Sequence, residues 1–165
     1  MKDKILKYLQ SEPMKKASVE ELREVLHILS SDEIKDFMKS LNALIDEAVV
    51  IENSQHEITL IEHTNYVVGS LDLKQRGFGF VIPKDPRLND VFIPKDNVNE
   101  AMNKDLVLVH VLQKGSGSRQ EGEIKRILER KYTHIIGTVL FHNGMGKLIS
   151  DDKTIANDII IRKEN

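Results

Sequence analysis

Arg76-Gly77-Phe78-Gly79-Phe80-Val81-Ile82 and, one short loop later, Asp90-Val91-Phe92-Ile93-Pro94 decide how the middle of this chain folds. In an extended strand, side chains alternate between faces, so Phe78 and Phe80 project together while Val81 points the other way. On the second segment Val91 and Ile93 share one face and Phe92 takes the other. Val81, Val91 and Ile93 therefore supply an inward face, and three of the chain's five phenylalanines are left on the outward one. Gly77 and Gly79 keep the side opposite the rings small and let the chain curve.

Working outward, Tyr66-Val67-Val68-Gly69-Ser70-Leu71-Asp72-Leu73 leads into this pair of segments, and Leu106–Leu112 reads as a further strand. Gly115-Ser116-Gly117-Ser118 reads as a flexible loop, and Gly122–Leu128 as a fifth strand. Pro83, Pro86 and Pro94 leave no room for a long helix before residue 95, and residues 96–102 allow at most one or two turns. An RRM, which also carries such a glycine–aromatic strand, needs helices of about ten residues between its strands. Five short strands joined by loops suit a small OB barrel instead. Residues 76–81 match the start of an RNP1 motif. Exposed rings flanked by Lys74 and Arg76 form a surface on which bases stack while phosphates meet cations. Single-stranded RNA is the partner this pattern suits.

The front of the chain is helical. Ile5, Leu6, Tyr8 and Leu9 form an apolar stripe that Pro13 closes. Ser18-Val19-Glu20-Glu21 and Ser30-Ser31-Asp32-Glu33 each have the form of a capping box. The first opens a helix with Leu22, Val25 and Leu26 inward. The second opens a longer one with Ile34, Phe37, Met38, Leu41, Leu44 and Ile45 inward. Val49-Val50-Ile51 and Ile58-Thr59-Leu60-Ile61, separated by a turn at Asn53-Ser54, read as a hairpin. Three helices and a hairpin in residues 1–63 resemble a winged helix-turn-helix, whose third helix can enter a DNA major groove. Its exposed positions include Lys35 and Lys39, but also Asp32, Glu33, Asp36 and Asp46. Residues 1–63 hold 8 basic and 13 acidic side chains, a net of −5, which repels phosphate. Weak DNA contact or a protein contact is what this module offers.

Composition narrows the rest. The chain has 165 residues, 24 Lys+Arg against 26 Asp+Glu, and no cysteine. Disulfide scaffolds, thiolate zinc sites and cysteine nucleophiles are excluded. No apolar run reaches the ~18 residues needed to span a bilayer, and residues 1–5 do not open a signal peptide, so a cytoplasmic protein with no membrane partner is expected.

Residues 134–165 repeat the pattern of 66–96. Ile135-Ile136-Gly137-Thr138 answers Val67-Val68-Gly69-Ser70, and Gly144-Met145-Gly146-Lys147-Leu148-Ile149 answers Gly77-Phe78-Gly79-Phe80-Val81-Ile82. Asn157-Asp158-Ile159-Ile160-Ile161 answers Asn89-Asp90-Val91-Phe92-Ile93. In the repeat Met145, Lys147 and Ile160 replace the three rings, so little RNA affinity is expected of it.

Gly-Phe-Gly-Phe-Val followed by Asp-Val-Phe-Ile-Pro resembles a cold-shock domain, with RNP1 at 76–81 and RNP2 at 91–94. Leu73 and Lys74 stand where free-standing cold-shock proteins carry an aromatic residue. That departure, the short first loop and Pro83-Lys84-Asp85-Pro86-Arg87 are more similar to the cold-shock modules of ribonuclease R. A helix-turn-helix module followed by tandem cold-shock modules is the amino-terminal order of that family. The resemblance implies an α+β multi-module chain: a winged helix-turn-helix at 1–63, a first cold-shock (OB) module at 64–131, and the start of a second at 132–165. It implies RNA binding by Phe78, Phe80, Phe92, Lys74, Arg76, Lys84 and Arg87. In the family a catalytic domain follows, cutting RNA from its 3′ end with acidic residues and a divalent metal such as Mg²⁺. The chain stops at Asn165, within the second module, so that domain, its metal and any nuclease activity are expected to be absent here. The expected role is to grip single-stranded RNA and feed it onward; a stand-alone RNA chaperone or transcription regulator is the alternative.

Other candidates carry less. The repeat places Asp152 and Asp158 opposite Asp85 and Asp90, loop and strand-start positions, so Asp151, Asp152 and Asp158 read as solvated carboxylates rather than metal ligands. Gly144-Met145-Gly146-Lys147 resembles the end of a phosphate loop, but Phe141 replaces the first glycine and Leu148 the Ser/Thr. His27, His56, His63, His110, His134 and His142 lack metal-ligand spacing.

Overall fold

In the computed structural model, residues 1–112, 120–153, 155 and 159–162 are described. The chain divides into two compact units, Met1–Val67 and Val68–Asn165. The loop read at 115–118 and the positions Asn157 and Asp158 lie outside the described residues. No helix among them is long and apolar enough to cross a membrane.

The first unit contains α1 (Lys2–Leu9), β1 (Lys16–Ser18), α2 (Val19–Val25), α3 (Ser31–Asp46), β2 (Val50–Glu52) and β3 (Glu57–Leu60). Its core is the apolar stripe read from the sequence: Ile5, Leu9, Leu22, Phe37, Leu41 and Leu44 are buried, with Ile34 and Ile45 packed beside them. Met38 and Val25 stay on the surface instead, because each falls at the rim of its helical stripe. At α3 the capping box is complete. Glu33 N–H donates to Ser30 Oγ at 3.3 Å, and Ser30 N–H donates back to Glu33 Oε2 at 2.9 Å. At α2 only half of it forms. Ser18 Oγ accepts from Glu21 N–H at 3.1 Å, but the Glu21 carboxylate takes the Tyr8 hydroxyl at 2.6 Å. A ring on α1 thus outcompetes the local backbone donor. The hairpin of β2 and β3 gains β1 as a third strand, in the order β1-β3-β2.

The second unit begins within β4 (Tyr66–Leu73) and continues with β5 (Gly79–Pro83), β6 (Val91–Ile93), β7 (Leu106–Leu112) and β8 (Glu121–Glu129). They close into a five-stranded barrel of the OB type, in the order β4-β5-β6-β8-β7. Only one 3-10 turn, Lys95–Asn97, interrupts the segment between β6 and β7. Leu71, Val81, Val91, Ile93, Val107, Val109 and Ile124 fill the interior. The side-chain amides of Asn97 and Asn99 donate to the carbonyls of Gly122 and Ile124, tying that segment to β8.

Asp105 holds the seam where β7 meets β4. It is fully buried. Its carboxylate accepts from Met102 N–H at 2.8 Å, Lys131 N–H at 3.1 Å and the Arg130 guanidinium at 2.9 Å. Its carbonyl accepts from Leu71 N–H on β4 at 2.9 Å. The chain continues with β9 (Gly137–His142), β10 (Met145–Ser150) and β11 (Ile159–Arg162), an antiparallel sheet in the order β11-β10-β9.

Two outcomes follow from these anchors. Replacing Asp105 by Ala leaves the Met102 and Lys131 backbone donors without this acceptor, while the half-exposed Arg130 keeps the Glu100 carbonyl; at ~1–3 kcal/mol for each buried donor left unpaired, the loss is about 3 kcal/mol. Native-state hydrogen exchange should then show the Val109 and Ile124 amides opening at least about 100-fold faster; unchanged rates would show that the seam does not depend on this carboxylate. The donors of Ser30, backbone first, hold the Glu33 carboxyl below its ordinary value of 4.5. Glu33 therefore stabilises the fold fully above that pH and ceases to as pH falls through its lowered value. Glu33→Gln should remove this part of the acid sensitivity from thermal melts taken between neutral and acid pH.

Candidate nucleic-acid interface

Register, not ring preference, places the aromatic residues. On β5 and β6, Phe80 faces Phe92 and Val81 faces Val91. The inward members Val81, Val91 and Ile93 are fully buried, whereas Phe80 and Phe92 are only half-buried. Phe78 sits just before β5 rather than within it. It closes the turn from β4, where its carbonyl accepts from Lys74 N–H at 2.8 Å and Gly77 N–H donates to the Lys74 carbonyl at 2.9 Å. Gly77 has φ +88°, and a Cβ there would lie 3.0 Å from the Lys95 side-chain carbons. The turn thus needs glycine both for its backbone angle and for the lysine stem lying against it.

The three rings touch one another. Centroids are 6.1 Å apart for Phe78–Phe80, 5.8 Å for Phe78–Phe92 and 5.5 Å for Phe80–Phe92. Their planes meet at 84°, 48° and 55°, within the tilted and edge-on arrangements aromatic pairs favour. The surface is faceted rather than flat, so each ring offers its own stacking face. With Lys74, Gln75 and Arg76 these rings line an open hollow of about 650 Å³.

Of the seven residues read as RNA contacts, the structure brings five together here: Lys74, Arg76, Phe78, Phe80 and Phe92. Lys84 and Arg87 lie elsewhere, past the far end of β5. Arg87 is also engaged. Its Nε and Nη2 reach Asp85 Oδ1 and Oδ2 at 2.9 and 2.6 Å, and this pairing pulls the Asp85 carboxyl down to about 2. Lys74 meets Asp72 at 2.7 Å, and that bond is the main reason the Asp72 carboxyl titrates below its usual range. Asp72 is itself the cross-strand partner of Phe80.

The sequence alone does not single out Gln75, which lines the hollow, Lys95, whose stem lies against Gly77, or Lys104, whose Nζ sits 3.8 Å from Asp72 Oδ1. Lys95 directly follows the Val91–Pro94 stretch, a position that could have flagged it; Lys104 carries no local signal. Among the described residues no three His, Asp or Glu side chains converge as a metal ion requires.

On the sheet of β9 to β11, Lys147 faces Ile160, Leu148 faces Ile159 and Gly137 faces Ser150. These pairs match Phe80–Phe92, Val81–Val91 and Gly69–Pro83 of the barrel position for position. Met145, Lys147 and Ile160 line a hollow of about 450 Å³ with Leu140, His142 and Gly146.

Residues 69–127 match the family model of the ribonuclease B OB domain. Ribonuclease R of Escherichia coli (strain K12) is 26% identical over 147 residues, which is 89% of this chain and 18% of the relative. Ribonuclease R of Thermotoga maritima is 25% identical over 166 residues, 99% of this chain and 23% of the relative. The structure of the yeast pseudonuclease Ssd1 shares the fold with a TM-score of 0.51 at 17% identity, over 62% of this chain and 18% of that one. The chain spans about a fifth of the length of these curated relatives. The chain is thus similar to ribonuclease R over most of its own length, and its residues 69–127 are similar to the ribonuclease B OB domain.

Proposed function

We propose that this chain is the single-stranded RNA-binding amino-terminal region of a ribonuclease R-like 3′–5′ exoribonuclease. In this reading a cold-shock module at 64–131 grips RNA and feeds it to a catalytic domain outside these residues. Residues 1–63 form a winged helix-turn-helix module, consistent with the order α1-β1-α2-α3-β2-β3, and residues 132–165 begin a second cold-shock module. The matching registers of β5–β6 and β10–β11 support the last assignment. The chain works in the cytoplasm, and RNA is its partner.

One observation carries the reading: three mutually touching phenylalanine rings lie outside a barrel whose interior aliphatic residues already fill. The interior is filled without these rings and each keeps part of its surface open to solvent, so their placement favours a role in contact. Bases stack on Phe78, Phe80 and Phe92, while Lys74 and Arg76 meet the sugar–phosphate chain. Lys84 and Arg87 extend the cationic path along the loop after β5, Arg87 exchanging Asp85 for phosphate. In the second module Met145 and Ile160 offer no flat face, so it adds little affinity.

Each base–aromatic stack is worth ~1–3 kcal/mol. Replacing Phe78, Phe80 or Phe92 singly by Ala should weaken binding of a labelled single-stranded oligoribonucleotide by roughly tenfold in fluorescence anisotropy. Equal affinity in all three variants, with circular dichroism showing the fold intact, would overturn the assignment.

A further inference from the structure

We infer that Lys104 and Lys74, gathered by Asp72 at one edge of the aromatic face, form a phosphate subsite for single-stranded RNA. The inference rests on the RNA-binding reading of the barrel and deepens it. Its starting point is the seam between β4 and β7, where Lys104, from outside either aromatic segment, comes beside Asp72 on β4. Asp72 on β4 is the cross-strand neighbour of Phe80, so its carboxylate lies on the ring-bearing face. Lys74 Nζ sits 2.7 Å from Asp72 Oδ2, and Lys104 Nζ sits 3.8 Å from Asp72 Oδ1. One carboxylate thus collects two ammonium groups from two different loops. Both lysine side chains keep nearly half their surface exposed, at 45% and 47%.

The backbone holds Lys104 where it is. Its φ is +67°, a left-handed conformation uncommon for a lysine. Its N–H donates to the Leu71 carbonyl at 2.7 Å, and on either side Asn103 Oδ1 accepts from Leu73 N–H at 3.0 Å while the Asp105 carbonyl accepts from Leu71 N–H at 2.9 Å. Three consecutive residues are therefore stitched to β4, and the lysine between them is brought beside Asp72, the cross-strand neighbour of Phe80. Two ammonium groups against one carboxylate leave a local excess of positive charge. A phosphodiester arriving with a base on Phe80 meets ammonium donors already in place, which lowers the ordering cost of the contact.

The test uses the full chain and a labelled single-stranded oligoribonucleotide, with affinity measured across a salt series. Lys104→Asn is chosen because asparagine tolerates a left-handed backbone. One lost phosphate contact should lower the slope of log affinity against log salt by about 0.7, which is about a fivefold loss near 0.1 M salt. Lys104→Arg should restore both. Lys125→Gln removes the same charge four residues along β8 from the partner of Phe92, where Lys125 is tied to Glu123 at 2.6 Å, and should leave the slope unchanged. If Lys104→Asn behaves as Lys125→Gln does while Phe80→Ala still weakens binding, the subsite is wrong and the stacking surface stands. If Phe80→Ala also has no effect, the RNA-binding reading itself fails.

Discussion

The pairing of Phe80 with Phe92 across β5 and β6 is the constraint from which the site follows. Strand side chains alternate strictly, so once Val81 and Val91 are paired inside, their neighbours can only face out. A one-residue slip would send the rings into an interior that Leu71, Val107, Val109 and Ile124 already occupy. Close packing does not admit that volume. Core and site are therefore two faces of one register, and neither can shift without the other. The turn at Gly77 completes the group by bringing Phe78 back over the same face, although it is not part of the strand.

Charge is arranged around this surface rather than spread over the unit. The cross-strand row runs Asp72, Phe80, Phe92, Glu121, so carboxylates stand at both flanks of the rings. At the Asp72 flank two lysines outnumber the acid. On the loop after β5, by contrast, Asp85 takes up the Arg87 guanidinium through two oxygens. A count of basic residues would treat Lys74 and Arg87 alike; the geometry separates them, because only one of the two lines the aromatic hollow.

What could be read from the sequence was whatever depends on local periodicity. The alternation at 78–81 and 91–93 has a period of two, the helical stripes of α1 and α3 have their own, and Ser30–Glu33 is a contact three residues apart. The barrel followed because the prolines at 83, 86 and 94 removed competing helices. What could not be read depends on residues remote in sequence. β1 has three residues, too few for a pattern, and exists because it pairs with β3 some forty residues later. Glu21 was expected to close its own cap, but the Tyr8 hydroxyl reached it first. Lys104 looks like any loop lysine until the barrel closes beside Asp72. The Asp105–Arg130 pair, which holds that closure, links positions 25 residues apart.

The five phenylalanines provide the most direct test, because they occupy three different settings. Phe37 is buried among the helices, Phe141 lies on β9, and Phe78, Phe80 and Phe92 form the outer cluster. The decisive measurement is an NMR titration of the chain, labelled with ¹³C in its phenylalanine rings, with a single-stranded oligoribonucleotide. Stacked bases should shift the ring signals of Phe78, Phe80 and Phe92 upfield together, at one common affinity, while those of Phe37 and Phe141 stay in place. Saturable RNA binding that leaves the three cluster signals unmoved would contradict the account.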